Sequence, residues 1–186
     1  MKNINFIPEK FNDIKLGYYQ AQMNECSPNY PNKIIQLNTI SINIPQTILF
    51  VEAEGFVPII PVCASYAISL RRIYKYNYLA AKKLHIKKIE EEEIFTGEIV
   101  RKINYGMVSL LPPNYEEQQQ RKRQMIEEAQ SYGDDELGDG FGGANYININ
   151  LMEYIDMPFV PGKYEVWLFF NGLESNRVIV EIVFEE

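Results

Sequence analysis

Alternation of apolar and polar side chains with a period of two recurs along this chain and constrains its fold more than any other feature. Ile40, Ile42 and Ile44 alternate with Ser41 and Asn43, and Pro45 ends the run. Ile48–Ala53 is a short run rich in β-formers, stopped near Gly55. Val62, Ala64, Tyr66, Ile68 and Leu70 alternate with Cys63, Ser65, Ala67 and Ser69, a long strand with only small side chains on its second face. Leu84 and Ile86 sit between Lys83, His85 and Lys87, and Ile94–Val100 follows with Gly97 hinting at a bulge. Later come Ile147–Leu151, Tyr164–Phe170 and Val178–Phe184. About eight strands without a strand–helix–strand rhythm argue against parallel α/β folds. One wet face per strand predicts antiparallel sheets packed face to face, an all-β sandwich of about eight strands with one helical insertion.

With 186 residues, 46% of them apolar and 23% charged, the chain has the composition of a folded domain rather than a disordered one. A domain of this size buries roughly 70% of its unfolded surface and needs no disulfide or metal to fold. Residues 39–186 are expected to form the sandwich. Residues 1–38 mix aromatics with Asn and Pro and show no sustained period, so they read as an irregular leader packed on it, with a weak strand at Ile34–Leu37.

Phe159-Val160-Pro161-Gly162-Lys163-Tyr164 resembles the Pro-Gly-x-Tyr corner that opens the penultimate strand of many immunoglobulin-like and fibronectin-type-III-like sandwiches. The resemblance implies a Tyr164 hydroxyl bonded to backbone a few residues upstream, and an antiparallel, immunoglobulin-like topology. It concerns architecture alone. Asn171-Gly172 is a favoured turn for the final hairpin. The sequence departs from antibody domains, since both cysteines precede the single tryptophan, Trp167.

Strand signals stop between Pro113 and Tyr146. Asn114 and Glu117 are spaced for reciprocal capping, and Tyr115–Ser131 reads as a helix rich in Glu, Gln, Arg and Lys. An acidic, Gly-rich loop follows it. Long excursions from compact domains are usually functional or disordered. The 114–143 helix and loop are therefore the expected partner-binding segment, with Tyr115, Arg121, Arg123, Met125, Ile126, Tyr132, Leu137 and Phe141 as contacts.

A net charge of −7 opposes nucleic-acid binding. Arg71–Lys88 nevertheless holds seven basic residues and no acid, with Tyr74, Tyr76 and Tyr78 among them. The expectation is that the lysines line a solvent face or strand edge and the tyrosines are half-buried strand residues. Glu90–Glu93 then cancel much of the local charge.

Gly138–Gly143 matches G-x-G-x-x-G, but a helix and acids precede it and a strand follows, the reverse of a phosphate cradle. An EF-hand is excluded, because Leu137 and Tyr146 occupy ligand positions. A looser calcium site at Asp134, Asp135, Glu136 and Asp139 is the one metal expectation, and no other cofactor is expected. His85, the only histidine, lies among lysines that lower its pKa, with no evident orienting partner, so a nucleophile–base pair is not expected.

Cys26 and Cys63 fit no C-x-x-C spacing and make a poor disulfide framework. No stretch reaches the roughly 18 apolar residues of a membrane span, and the N-terminal stretch lacks a secretory apolar run. Two free thiols in a cytoplasmic protein are the expectation, although leaderless export leaves no mark in sequence. The functional expectation is a non-enzymatic protein-binding module, adaptor- or inhibitor-like. Two alternatives stand beside it: a calcium- or carbohydrate-binding sandwich, and a structural subunit that self-associates through its uneven charge.

Overall fold

The structure is a computed structural model that describes residues 5–6, 9–11, 16, 23–32, 35–51, 58–76, 81–99, 114–133, 136 and 141–185. Among them the strands are β1 (Asn5–Phe6), β2 (Thr39–Asn43), β3 (Thr47–Val51), β4 (Pro61–Ser69), β5 (Lys82–Lys88), β6 (Ile94–Ile99), β7 (Phe141–Asn150), β8 (Gly162–Phe170), β9 (Leu173–Glu174) and β10 (Val178–Glu185). The helices are α1 (Leu70–Lys75) and α2 (Tyr115–Gln130). All eight segments expected from periodicity are strands; the two short ones, β1 and β9, carry too few residues to show a period.

The strands form two sheets, one ordered β1-β3-β10-β8-β5-β6 with β9 also on β8, the other β2-β4-β7. The smaller sheet is antiparallel throughout. The larger is mixed, which corrects the expectation of purely antiparallel pairing, because β3 runs parallel to β10. The reason is the chain path: β3 arrives from the other sheet around Ile44–Gln46 and not through a hairpin with β10, so nothing forces it to run antiparallel.

Inward positions of both sheets meet in one buried cluster. Ile40 and Ile42 of β2, Val62 and Ala64 of β4 and Ile147 and Ile149 of β7 join Phe50, Leu84, Ile86, Val166, Leu168, Val180 and Ile182 from the large sheet. The second face of β4 and the last part of that of β7 are buried as well, with Cys63, Ser65 and Asn148 at 0%, 0% and 1% exposure, so the expectation of a wet face fails there. The leader supplies part of the cover there: Phe11, Cys26 and Cys63 form a second buried cluster. Cys26 and Cys63 are joined in a disulfide with Cα atoms 5.9 Å apart, which overturns the expectation of free thiols. Two cysteines far apart in sequence carry no spacing signal, and only the fold of the leader over β4 brings them together. Leader residues Asn5–Phe6 also pair with β3, whereas 35–37 form no strand.

Three local features place the rest. Tyr164, 2% exposed, donates its hydroxyl hydrogen to the Val160 carbonyl at 2.8 Å. Asn171 and Gly172 both take positive φ, 50° and 71°, as a two-residue turn between right-twisted strands requires. Gly97 marks a close approach and not a bulge: its pairing opposite Leu84 is in register, and a Cβ there would collide with the Tyr154 carbonyl. No described helix is long and apolar enough to cross a membrane.

Closing a loop across 37 residues restricts the unfolded chain by about 3–4 kcal/mol. Urea denaturation of Cys63→Ala, or of the reduced protein, is expected to show that loss; an unchanged midpoint under reducing conditions contradicts it. Tyr164→Phe is expected to cost about 1 kcal/mol by the same measurement, because the Val160 carbonyl loses its donor.

Candidate functional site

α2 is a helix of strong helix formers that buries only one of its residues, Ala129. Glu116 and Glu117 in its first turn favour the helix dipole, and Glu117 pairs with Arg121 one turn on at 2.6 Å. The expected side-chain cap is absent. Asn114 adopts a left-handed conformation (φ 68°) that makes no side-chain cap bond; its carbonyl accepts from the Gln118 N–H at 3.1 Å instead.

The helix packs on α1, which the alternation reading missed by extending β4 through Leu70. Ser69 caps α1, its hydroxyl accepting from the Arg72 N–H at 3.3 Å, and Leu70, Ile73 and Tyr74 then follow helical spacing. Tyr74 is therefore helical, and Tyr76 follows at the helix end; Tyr78 lies outside the described residues. Gly142 permits the junction: a Cβ there would stand 2.7 Å from the Ile68 carbonyl oxygen, the Leu70 nitrogen and the Ile73 side chain.

Between the two helices lies a cleft of about 400 Å³, within the range of pockets that hold small ligands or side-chain anchors. Leu70, Ile73, Tyr74 and Met125 give its apolar lining, and Gln118, Arg121 and Lys122 its polar lining. A second well of about 260 Å³ shares Leu70, Tyr74 and Met125 and adds Arg71, Glu128, Ala129 and Tyr132. Leu70 and Met125 remain 36% and 43% exposed. Tyr132 anchors the far end: the Arg71 guanidinium lies 4.4 Å from its ring centre, its hydroxyl donates to Glu128 at 3.0 Å, and its carbonyl accepts from Lys75 at 2.8 Å.

Of the expected contacts, Arg121, Met125 and Tyr132 therefore converge on this cleft. Tyr115 is exposed at the start of α2, Arg123 is exposed, and Ile126 is half-buried. Phe141 begins β7 opposite Ser69, so the last residues of the expected 114–143 excursion belong to a strand. Leu137 lies outside the described residues, as do Asp134, Asp135 and Asp139 of the expected calcium site. Glu136 is exposed, and its carboxylate accepts from the Gly133 N–H at 2.8 Å.

The basic stretch is only partly on a strand. Arg71, Arg72 and Lys75 lie on α1, and Arg72 is buried with its guanidinium donating to the Asn171 carbonyl at 3.3 Å. Lys82 lies over the rings of Phe170 and Tyr66, at 4.3 and 5.5 Å. The lysines of β5 are not on an edge, since β5 sits between β8 and β6.

On the outward face of the large sheet, Trp167 is only 6% exposed. The His85 ring stacks on it at 5.1 Å and 14°, and the Arg177 guanidinium lies 4.3 Å from its centre while pairing with Glu165 and Glu174 at 2.9 Å each. His85 Nδ1 is 2.8 Å from the Thr96 hydroxyl, so the histidine has orienting neighbours that the sequence did not reveal. Burial, with Lys83 beside it, holds its pKa below the ordinary 6.5, against a smaller opposing pull from Glu174. Acid titration of Trp167 fluorescence is expected to show a midpoint below 6.5, abolished in His85→Gln. Because the unfolded chain takes up this proton first, the stability contribution of neutral His85 is complete above about 6.5 and declines as pH falls toward the folded midpoint. A fluorescence midpoint above 6.5 contradicts this.

No protein-family profile, no curated protein and no solved structure matches this chain.

Proposed function

We propose that this chain is a non-enzymatic protein-binding module built on an immunoglobulin-like β-sandwich, with the cleft between α1 and α2 as its docking site. Strand order supports the architecture. The β10-β8-β5-β6 series corresponds to strands G, F, C and C′ of that fold, and β2-β4-β7 to A, B and E. The Tyr164–Val160 hydrogen bond occupies the place of the tyrosine corner. The disulfide differs, joining the leader to the B-like strand instead of linking the sheets. That bond also removes the free-thiol argument for a cytoplasmic setting, since buried disulfides persist in oxidising compartments.

The observation that carries the functional reading is an exposed apolar cleft outside the main core. Leu70 and Met125 stay accessible between helices that contribute nothing to the buried cluster shared by the sheets except the partly buried Ile73. Apolar wells with a few polar groups at their margins are where interface anchors seat, and unbranched Met adapts to what enters.

Met125→Glu and Leu70→Glu are expected to weaken capture of the native partner by about thirty-fold, as loss of a central anchor does. Both positions are partly exposed, so the melting temperature is expected to change little. A quantitative pull-down from the native source, read against circular dichroism of the same variants, tests this; undiminished capture by both variants rules out the cleft.

A further inference from the structure

We infer that the occupant of the α1–α2 cleft is an acidic protein segment that seats one or two apolar side chains between the helices. The inference rests on the docking reading above and adds the chemistry of the partner. In a chain of net charge −7, the larger well is lined, among the described residues, by two cations, Arg121 and Lys122, and by no carboxylate. The rest of its lining is apolar apart from Gln118. Such a well admits a hydrocarbon group at its base and an anion at its margin, and it disfavours a basic partner that would bring like charge to Arg121 and Lys122.

The middle of α2 reinforces this. Arg121, Lys122 and Arg123 are consecutive, flanked by Glu116–Glu117 on one side and Glu127–Glu128 on the other, so positive charge is concentrated beside the cleft. Arg121 is held by Glu117 in an exposed pair, with side chains 74% and 56% accessible, which a partner carboxylate can replace at little cost. The two wells share Leu70, Tyr74 and Met125, so two successive apolar anchors of one segment would bracket the same methionine. The smaller well brings Glu128 together with Arg71, which places the anionic preference at the Arg121–Lys122 end.

Fluorescence anisotropy with two labelled helical peptides tests the assignment. Both carry Leu at i, i+3, i+4 and i+7 spacing; one has Glu at the remaining positions, the other Gln. The Glu peptide is expected to bind the intact disulfide-bonded protein about ten-fold or more tightly than the Gln peptide, with the preference shrinking as salt rises from about 0.05 to 0.3 M. The double variant Arg121→Glu, Lys122→Glu is expected to lose that preference while keeping its melting temperature. Met125→Glu is expected to lose both peptides. Equal binding of the two peptides, abolished by Met125→Glu, overturns the acidic assignment and leaves the docking cleft standing. Binding unchanged by Met125→Glu overturns both. A Glu peptide that fails to bind at about 100 μM overturns the assignment, as does its displacement by octanoate at equal concentration, which would mark the well as a site for a small amphiphile.

Discussion

The interior depends on a corner. Between Ile44 and Gln46 the chain leaves the small sheet as β2 and enters the large one as β3, so one stretch of twelve or so residues contributes Ile40 and Ile42 to one layer and Ile48 and Phe50 to the other. Pro45 suits the turn because it needs no donor there. The Gln46 carbonyl accepts from the Glu181 N–H at 2.8 Å, which sets β3 against β10. On the other side of the corner, the Asn176 side-chain amide acts as a peptide unit. Its oxygen accepts from the Ile42 N–H at 2.8 Å and its nitrogen donates to the Ile42 carbonyl at 3.0 Å. The edge of β2 is thereby tied to the β9–β10 connection, which links the two sheets by hydrogen bonds as well as by apolar packing.

The helices are possible because of what happens at the opposite end of β4. That strand is buried on both faces, and it ends at Ser69, whose hydroxyl starts α1 in the next residue. Opposite it, the register of β7 shifts between Ile68 and Ser69, and Gly142 lets the backbone of α1 approach within van der Waals distance. α2 then rests on α1. The α1–α2 cleft is thus carried at the end of β4 where that strand passes into α1.

Period-two burial was legible because a strand in a sheet with one apolar face must alternate, and Leu84, Ile86, Val166, Leu168, Val180 and Ile182 all point inward as their spacing requires. Less was legible where a side chain's environment comes from a distant segment. Cys63, Ser65 and Asn148 read as a wet face, and they are covered because other chain segments pack over them. Trp167 lies on the outward face, and its burial depends on His85 from β5 and Arg177 near β10. The α2 helix followed from composition and spacing, and of the residues expected on it as partner contacts Arg121 and Met125 line the cleft, with Tyr132 just past the end of the helix. The α1 half was hidden because Leu70 continues the alternation of β4, even though Leu70, Ile73 and Tyr74 also fit a helix and Ser69 offers its cap.

The parallel pairing of β3 with β10 matches Thr47–Val51 with Glu181–Glu185, joining segments far apart in sequence. A contact of such long sequence separation cannot form early, because the loop it closes must first be restricted, and folds dominated by such contacts assemble slowly. During synthesis, β3 would have to wait for β10 to leave the ribosome before that neighbour exists. Until β10 emerges, the β3 edge that it covers and the Ile48 and Phe50 side chains stand open to whatever strand is nearby, so the growing chain is exposed to misassociation throughout that interval.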